Sequence, residues 1–184
     1  MTDRQGMAWH YLVESSLQYY AAGRFCAITR LASAAPQLLR LAIELVLKAC
    51  LARDHSLDEI KAKYGHNIGR LWEDVTAANS RLRTAGRDQT ILNLGRFEEL
   101  RYPDSLISQE ASISFDLRTR TDSGPPHDDL PSGRHYEFNL EDIDELWAAL
   151  FVNSRANAVA FLQRLSQEAR AAIDRDNLHP IVGS

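Results

Sequence analysis

The sequence is poor in cysteine and has no long apolar run. Its only cysteines, Cys26 and Cys50, sit in apolar, helix-patterned surroundings, which favours small core residues over a disulfide framework or a metal motif. No apolar run approaches about 18 residues, so we expect no membrane-spanning helix. The first residues do not read as a signal peptide, and a cytoplasmic protein is therefore expected.

Lysine is also scarce: of 21 basic residues only three are lysine, and the rest are arginine. Arginine suits bidentate contacts with phosphate, but it also suits structural ion pairs. The formal net charge of -4 argues against a polyanion-binding surface over the whole protein. A local basic patch is still possible. The most basic stretch is the connector with Arg81, Arg83 and Arg87, which could contact nucleic acid or phosphate or could simply be solvated.

The remaining composition is that of an ordinary globular protein, with 45% hydrophobic and 25% charged residues in a chain of 184. This length fits one domain with a sizeable core. We expect a single helical domain over residues 1–175 and a flexible tail over residues 176–184.

The chain is organised around a strongly apolar helix that follows Pro36. Apolar residues cover nearly its whole circumference between positions 38 and 52, which predicts a buried, central helix. Only Arg40, Glu44 and Lys48 interrupt them, and their spacing of four places them on one face. A buried helix must direct such a stripe to solvent, to partners on other helices, or to a ligand.

Helices are predicted on both sides of this segment. A helical period begins at Trp9, with Gly23 as a candidate interruption. Ser56 and Glu59 have the spacing of a capping box, so a short helix is expected from position 57. Gly65 would end it, and a further helix would begin at position 66 or 67.

The last helix is predicted to start after a cap at Asn139. Its apolar residues keep steps of three and four as far as Ile173, which would give a helix about 45 Å long. Such a helix is longer than a compact bundle needs. It is therefore expected either to kink near Asn153 or to pack on a second subunit.

A different period appears between positions 112 and 138. Residues 113–117 and 136–138 alternate apolar and polar side chains, and a loop rich in proline and glycine, residues 118–134, separates them. This pattern predicts a small two-stranded β-ribbon inserted near 112–138. Histidines and aspartates in the loop have no fixed ligand spacing, so we expect no metal site and no cofactor.

Three short segments carry a family resemblance: residues 41–49 (LAIELVLKA), 64–71 (YGHNIGRL) and 100–103 (LRYP). In this order they resemble the HEPN (higher eukaryotes and prokaryotes nucleotide-binding) helical-bundle superfamily, over roughly residues 10–165. The resemblance implies an all-α, up-and-down bundle of four to five core helices, usually homodimeric. It also implies RNA or a nucleotide as ligand, a nucleotidyltransferase or antitoxin as partner, and a role in prokaryotic defence, toxin–antitoxin or regulatory systems.

Many HEPN ribonucleases carry Arg-x(4 to 6)-His at the start of a helix, where the histidine is a general acid or base and the arginine stabilises phosphate charge. Arg4 with His10 and Arg120 with His127 have this spacing. The first pair lies at the extreme N-terminus and the second spans two prolines, so neither is expected in the helical context. The sequence therefore favours a protein without catalytic residues.

The remaining candidates form a polar cluster or ligand-binding site, namely Glu44, Lys48, His66, Arg101 and Tyr102. The cluster could fix the register of the helices, or it could bind a phosphate or nucleotide. Our first hypothesis is a non-catalytic binding or interaction module. The alternatives are a metal-independent ribonuclease toxin that uses His66, and a bundle that binds a small molecule or nucleotide between its helices.

Overall fold

The computed structural model describes residues 3–31, 34–97 and 139–181, and these residues are helical with short connections. The first part of the chain forms α1 (Asp3–Ile28), α2 (Ala35–Leu51), α3 (Leu57–Tyr64), α4 (Ile68–Ala78) and α5 (Ala85–Arg96), with one 3₁₀ turn at Ser80–Leu82. The last part forms α6 (Leu140–Asn153), α7 (Ala158–Leu162) and α8 (Gln167–Asp174). The fold of the described residues is therefore all-α, as the sequence predicted.

Helix α2 lies at the centre of the bundle, where its apolar pattern placed it. It packs against α1 along most of its length, and it also contacts α4, α5 and α6. Most of its apolar side chains are buried, including Leu39, Ile43 and Leu47. Pro36 occupies the first turn. Backbone N–H groups of this turn form no hydrogen bond within the helix, so the lack of one in proline costs nothing there.

Local capping residues set the ends of several helices where the sequence predicted them. The Ser56 hydroxyl accepts from the Glu59 amide, and the Glu59 carboxylate accepts from the Ser56 amide, which completes the capping box. Asn67 and Asn139 cap α4 and α6 through their side-chain oxygens.

The long helix expected as far as Ile173 is broken near Asn153, which was one of the two alternatives that the sequence left open. Helix α6 ends at that residue, and Arg155 follows with a positive φ of 60°. This left-handed residue turns the chain, so that a new cap at Asn157 starts the short helix α7. The backbone oxygen of Ser154 accepts a hydrogen bond from Trp9 Nε1 at 3.2 Å, which fixes the turn against α1.

A buried polar relay joins the three central helices. Trp147 Nε1 on α6 donates to Ser16 Oγ on α1 at 3.0 Å, and Ser16 Oγ donates to the backbone oxygen of Ala42 on α2 at 2.8 Å. The ring of Tyr20 stacks on Trp147 with centroids 3.9 Å apart. Because each buried polar group in this relay has a partner, the relay specifies how the helices pack without a desolvation penalty.

Helix α1 runs through Gly23 without interruption, so the candidate break at this residue was wrong. Gly23 serves close packing instead, because a Cβ atom there would lie 2.6 Å from Leu39 Cγ and 3.1 Å from the backbone nitrogen of Leu39 on α2. Helix α2 approaches α1 here more closely than any residue with a side chain would allow.

We expect Gly23→Ala to lower the free energy of unfolding by about 1–3 kcal/mol, because the added methyl group forces the two helices apart. Gly95→Ala is the matched control, since a Cβ at this helical glycine meets nothing within 4 Å. It should leave stability unchanged or raise it by up to about 1 kcal/mol. Urea unfolding followed by circular dichroism measures both, and equal effects would contradict the close packing at Gly23.

Several expectations fall outside the described residues: the β-ribbon near 112–138, its loop at 118–134, and the candidates Arg101 and Tyr102. Residues 176–181, part of the stretch expected as a tail, contact the helical core. Asn177 Nδ2, for example, donates to the Tyr20 hydroxyl at 3.2 Å. None of the helices in the described ranges is long and apolar enough to cross a membrane.

Candidate functional site

The charged stripe of α2 converges on the buried carboxylate of Glu44. Its Oε1 atom accepts from Lys48 Nζ at 2.7 Å and lies 3.0 Å from His66 Nδ1. Its Oε2 atom accepts from Arg40 Nη1 at 3.4 Å. The negative charge of Glu44 is therefore met by two cations of its own helix and by the imidazole of the following loop, which makes its burial tolerable.

His66 is held in place by both its backbone and its ring. It follows Gly65, which ends α3 with a positive φ of 54°, and it precedes the Asn67 cap of α4. Arg40 Nη2 donates to the backbone oxygen of His66 at 2.9 Å. The contact with Glu44 fixes one nitrogen of the ring, Nδ1, while the His66 side chain remains 67% exposed. Within the described ranges, Nε2 has no hydrogen-bond partner.

This imidazole stands at the edge of an open groove between α4 and α5. The groove has a volume of about 840 Å³, within the usual range for small-molecule sites. Its apolar wall includes Trp72, Ile91 and Leu92, and Gly69 and Gly95 keep the groove open on either side. Polar and charged groups of several elements also line it: Arg40, His66, Glu73, Arg83, Asp88 and Arg96.

The two carboxylates of the groove are already engaged. Arg83 bridges them, with an ion pair to Glu73 and a contact of 3.2 Å from its Nε to Asp88 Oδ1. Trp72 Nε1 donates to the same Asp88 oxygen at 2.6 Å. This hydrogen bond, with Arg83 beside it, holds the pKa of Asp88 below its usual value, and the two carboxylates raise the pKa of Arg83.

Arg96 is a further cation that lines the groove. It lies exposed in the last turn of α5, and no residue of the described ranges forms an ion pair with it. Arg96 therefore adds positive charge to the groove, although the protein is net negative.

Of the candidates from sequence, the structure brings Glu44, Lys48 and His66 together. Sequence reasoning missed the groove itself and the contributions of Arg83 and Arg96. Arg96 lies one helical turn beyond Leu92 and Asn93 at the end of α5, a position without any local signal of function. The groove could not be predicted either, because α4 and α5 lie side by side only through tertiary packing.

The basic connector does not form a free cationic patch. Arg87 Nη2 pairs with Glu145 of α6 at 2.6 Å, and its Nη1 donates to the backbone oxygen of Leu82 at 2.9 Å. Arg83 is bound to the groove carboxylates, which leaves Arg81 as the arginine of this connector that forms no ion pair with a described residue. Arg83 and Arg87 therefore help to hold α4, α5 and α6 together.

The pair Arg4 and His10 lies in α1, so the expectation that it would lack helical context was wrong. A spacing of six nevertheless places the two side chains about 120° apart around the helix. His10 Nε2 instead lies 2.5 Å from Arg164 Nη1, and its ring packs on Phe161 with centroids 4.8 Å apart. These two residues therefore do not form a joint site, and Arg120 and His127 lie outside the described residues.

Within the described ranges, no group of three or more His, Cys, Asp or Glu side chains could hold a metal ion. Burial raises the pKa of the Cys50 thiol to about 11, so this cysteine is neutral and unreactive at physiological pH.

No protein-family model, curated protein or solved structure matches the chain significantly.

Proposed function

We propose that this protein is a non-catalytic, HEPN-like binding module that holds a phosphate-bearing ligand, a nucleotide or RNA, in the groove beside His66. The observation that carries the proposal is the exposed imidazole of His66, which the buried carboxylate of Glu44 holds beside a groove that also carries the exposed Arg96. The resemblance of the three sequence segments supports a setting in prokaryotic defence, toxin–antitoxin or regulatory systems.

The groups at the groove suit a phosphate at one end and an apolar ligand part at the other. Glu44 holds Nδ1 of His66, so protonation of the exposed Nε2 gives an imidazolium that donates from both nitrogens. Arg96 supplies a further donor fork for phosphate oxygens. Ile91, Leu92 and the two glycines leave an apolar wall against which a flat base can lie.

Binding is favoured over catalysis because the described residues of the groove offer His66 no second free acid or base. Glu44 already interacts with three groups, and Glu73 and Asp88 are bound to Arg83. Transfer of a proton to and from a reacting ribose hydroxyl requires two groups that can exchange protons. Among the described residues of the groove, only His66 is such a group.

A metal-independent ribonuclease remains the second candidate, and the contact between Glu44 and His66 specifically favours it. A buried carboxylate that accepts from Nδ1 orients an imidazole and leaves Nε2 as a base, as in hydrolases with a histidine base. Incubation with a labelled single-stranded RNA separates the candidates. The binding module leaves the RNA intact, whereas cleavage that is lost in His66→Ala would establish the ribonuclease.

The test of binding is calorimetric titration with AMP and with a short single-stranded RNA. We expect His66→Ala to weaken binding roughly tenfold, since a charge-assisted hydrogen bond contributes about 1.5–3 kcal/mol. His55→Ala is the matched control, because His55 is also an exposed histidine but does not line the groove.

Equal affinities of wild-type protein and His66→Ala would exclude His66 as a ligand contact. Binding of an uncharged apolar compound, with none of AMP or RNA, would favour the third hypothesis, a small-molecule pocket without a role in nucleic-acid binding.

A further inference from the structure

His66 and Arg96 lie at the same end of the groove. Gln37, in the first turn of α2, donates to the backbone oxygen of Phe97 at 3.1 Å, and Arg40 of the same helix donates to that of His66 at 2.9 Å. The end of α5, which carries Arg96, and the loop with His66 therefore both lie beside the first two turns of α2. This is the end of the groove that suits the phosphate of a ligand.

Asp88 lies at the opposite end of the groove. It stands in the first turn of α5, about 12 Å before Arg96 at 1.5 Å per residue. Trp72 Nε1, from the middle of α4, donates to Asp88 Oδ1 at 2.6 Å, so α4 and α5 hold this end together. Ile91 and Leu92 form the apolar wall between the two ends. A nucleotide with its phosphate near Arg96 therefore directs the edge of its base towards Asp88.

Each carboxylate at the base end of the groove is engaged through one oxygen only. Asp88 Oδ1 accepts from Trp72 Nε1 and from Arg83 Nε, and Glu73 Oε1 pairs with Arg83 Nη2. In the part of the chain that the structure describes, no donor reaches Asp88 Oδ2 or Glu73 Oε2. Because each carboxylate oxygen can accept two hydrogen bonds, these two oxygens are open to a ligand, and one guanidinium holds both carboxylates side by side.

Asp88 also keeps its charge. The hydrogen bond from Trp72, with Arg83 beside it, holds the pKa of Asp88 below its usual value, so the carboxylate is ionised at neutral pH. An ionised carboxylate accepts hydrogen bonds and donates none. Asp88 Oδ2 therefore favours a base that presents N–H groups and disfavours one that presents a ring-nitrogen acceptor.

We propose that the groove selects a guanine ribonucleotide, either free or within single-stranded RNA, through Asp88 and Glu73. This inference rests on the proposed function, because it specifies the ligand of the same groove. The Watson–Crick edge of guanine has two neighbouring donors, N1–H and the N2 amino group, which match the two open oxygens. Arg83 can donate from Nη1 to guanine O6. Adenine and cytosine instead place a ring-nitrogen acceptor beside their amino group, and this acceptor would face a carboxylate.

Calorimetric titration of the full chain with GMP, IMP and AMP tests the selection. IMP has the N1–H group of GMP without its amino group, and AMP has no N1–H group. We expect GMP to bind about tenfold more tightly than AMP, because hydrogen bonds to a charged acceptor are worth more than neutral ones. IMP should fall between them. Two short RNAs, one with a guanine and one of adenine alone, identify the source, since the guanine-containing RNA binds more tightly than GMP only if RNA is the ligand.

Asp88→Asn should remove most of the preference for GMP, because its amide presents a donor to N1–H while its oxygen can still accept from Trp72. Asp74→Asn is the matched control. Asp74 has nearly the same exposed fraction, 40% against 41%, and also binds a cation and an aromatic side chain, Lys63 and Tyr64. It does not line the groove, so its variant should keep the preference of wild type. Circular dichroism checks that both variants fold.

The outcomes separate this inference from the function on which it rests. Equal affinities of wild-type protein for GMP and AMP would overturn the selection of guanine and leave the proposed function in place. Failure of every nucleotide and RNA to bind would overturn the proposed function itself. A preference for GMP that survives in Asp88→Asn would overturn the role of Asp88. The wild-type comparison decides the selection even if this variant does not fold.

Discussion

Replacing Arg24 with alanine is expected to lower the free energy of unfolding by about 3–5 kcal/mol, because it leaves the buried carboxylate of Asp144 without its counter-charge. Arg24 is fully buried, and its guanidinium pairs with Asp144 of α6. Its Nε also donates to the backbone oxygen of Ala172 at 3.0 Å, and its Nη2 donates to that of Arg175. The Arg24 side chain thus links α1 to α6 and to the C-terminal segment.

The hydroxyl of Tyr20 completes this network, since it donates to Asp144 Oδ1 at 2.7 Å. Burial raises the pKa of this hydroxyl well above its usual value, so Tyr20 keeps its proton and remains a donor throughout the physiological range. Burial lowers the pKa of Arg24, and the nearby Tyr20, Asp176 and Asp174 partly offset that effect.

Urea unfolding measures the effect of Arg24→Ala, and Arg164→Ala is its control. Arg164 also bridges distant parts of the chain, but its contact with Glu14 at 3.5 Å is exposed, so its loss should cost less than about 1 kcal/mol. Replacing Arg24 and Asp144 together by leucine should recover much of the stability, because no unpaired charge then remains. A cost for Arg24→Ala as small as that for Arg164→Ala would show that the pair does not fasten the bundle.

Glu44→Ala is expected to cost about 3–5 kcal/mol, because it takes a buried carboxylate away from two cations that stay on α2. Arg40 and Lys48 would then repel each other across two helical turns. The loop at His66 would also lose the acceptor that holds its ring. Urea unfolding again gives the magnitude, and Glu73→Ala, in an exposed ion pair with Arg83, should cost under about 1 kcal/mol.

His66→Ala should by contrast cost little stability, since the imidazole is mostly exposed. Equal, large losses in Glu44→Ala and His66→Ala would mean that the imidazole serves the fold, and the binding role assigned to it would then have to be given up.

Local patterns predicted much of the fold because the relevant forces act within a few residues along the chain. The capping box at Ser56 and the cap at Asn139 need only a side chain and the next helical turn. The stripe of Arg40, Glu44 and Lys48 follows from a spacing of four, and its burial follows from the apolar residues around it.

The features that sequence reasoning missed arise from packing between distant segments. Arg24 stands at a buried position of α1, in line with Leu17, Tyr20 and Ala27. An arginine in such a line was the available signal for a buried partner, but nothing local identified Asp144, 120 positions further along the chain. The groove was missed for the same reason, since α4 and α5 form it only once both pack on α2.

The role of His66 can be tested most directly by nitrogen-15 NMR of its ring, recorded with and without AMP. We expect the free protein to carry the proton on Nδ1, where Glu44 accepts it, and to leave Nε2 unprotonated. Addition of AMP should then protonate Nε2 and leave Nδ1 bound as before. Two results would contradict the proposed site. One is a His66 ring that carries its proton on Nε2 in the free protein, and the other is a set of His66 ring signals that does not change when AMP binds to the protein.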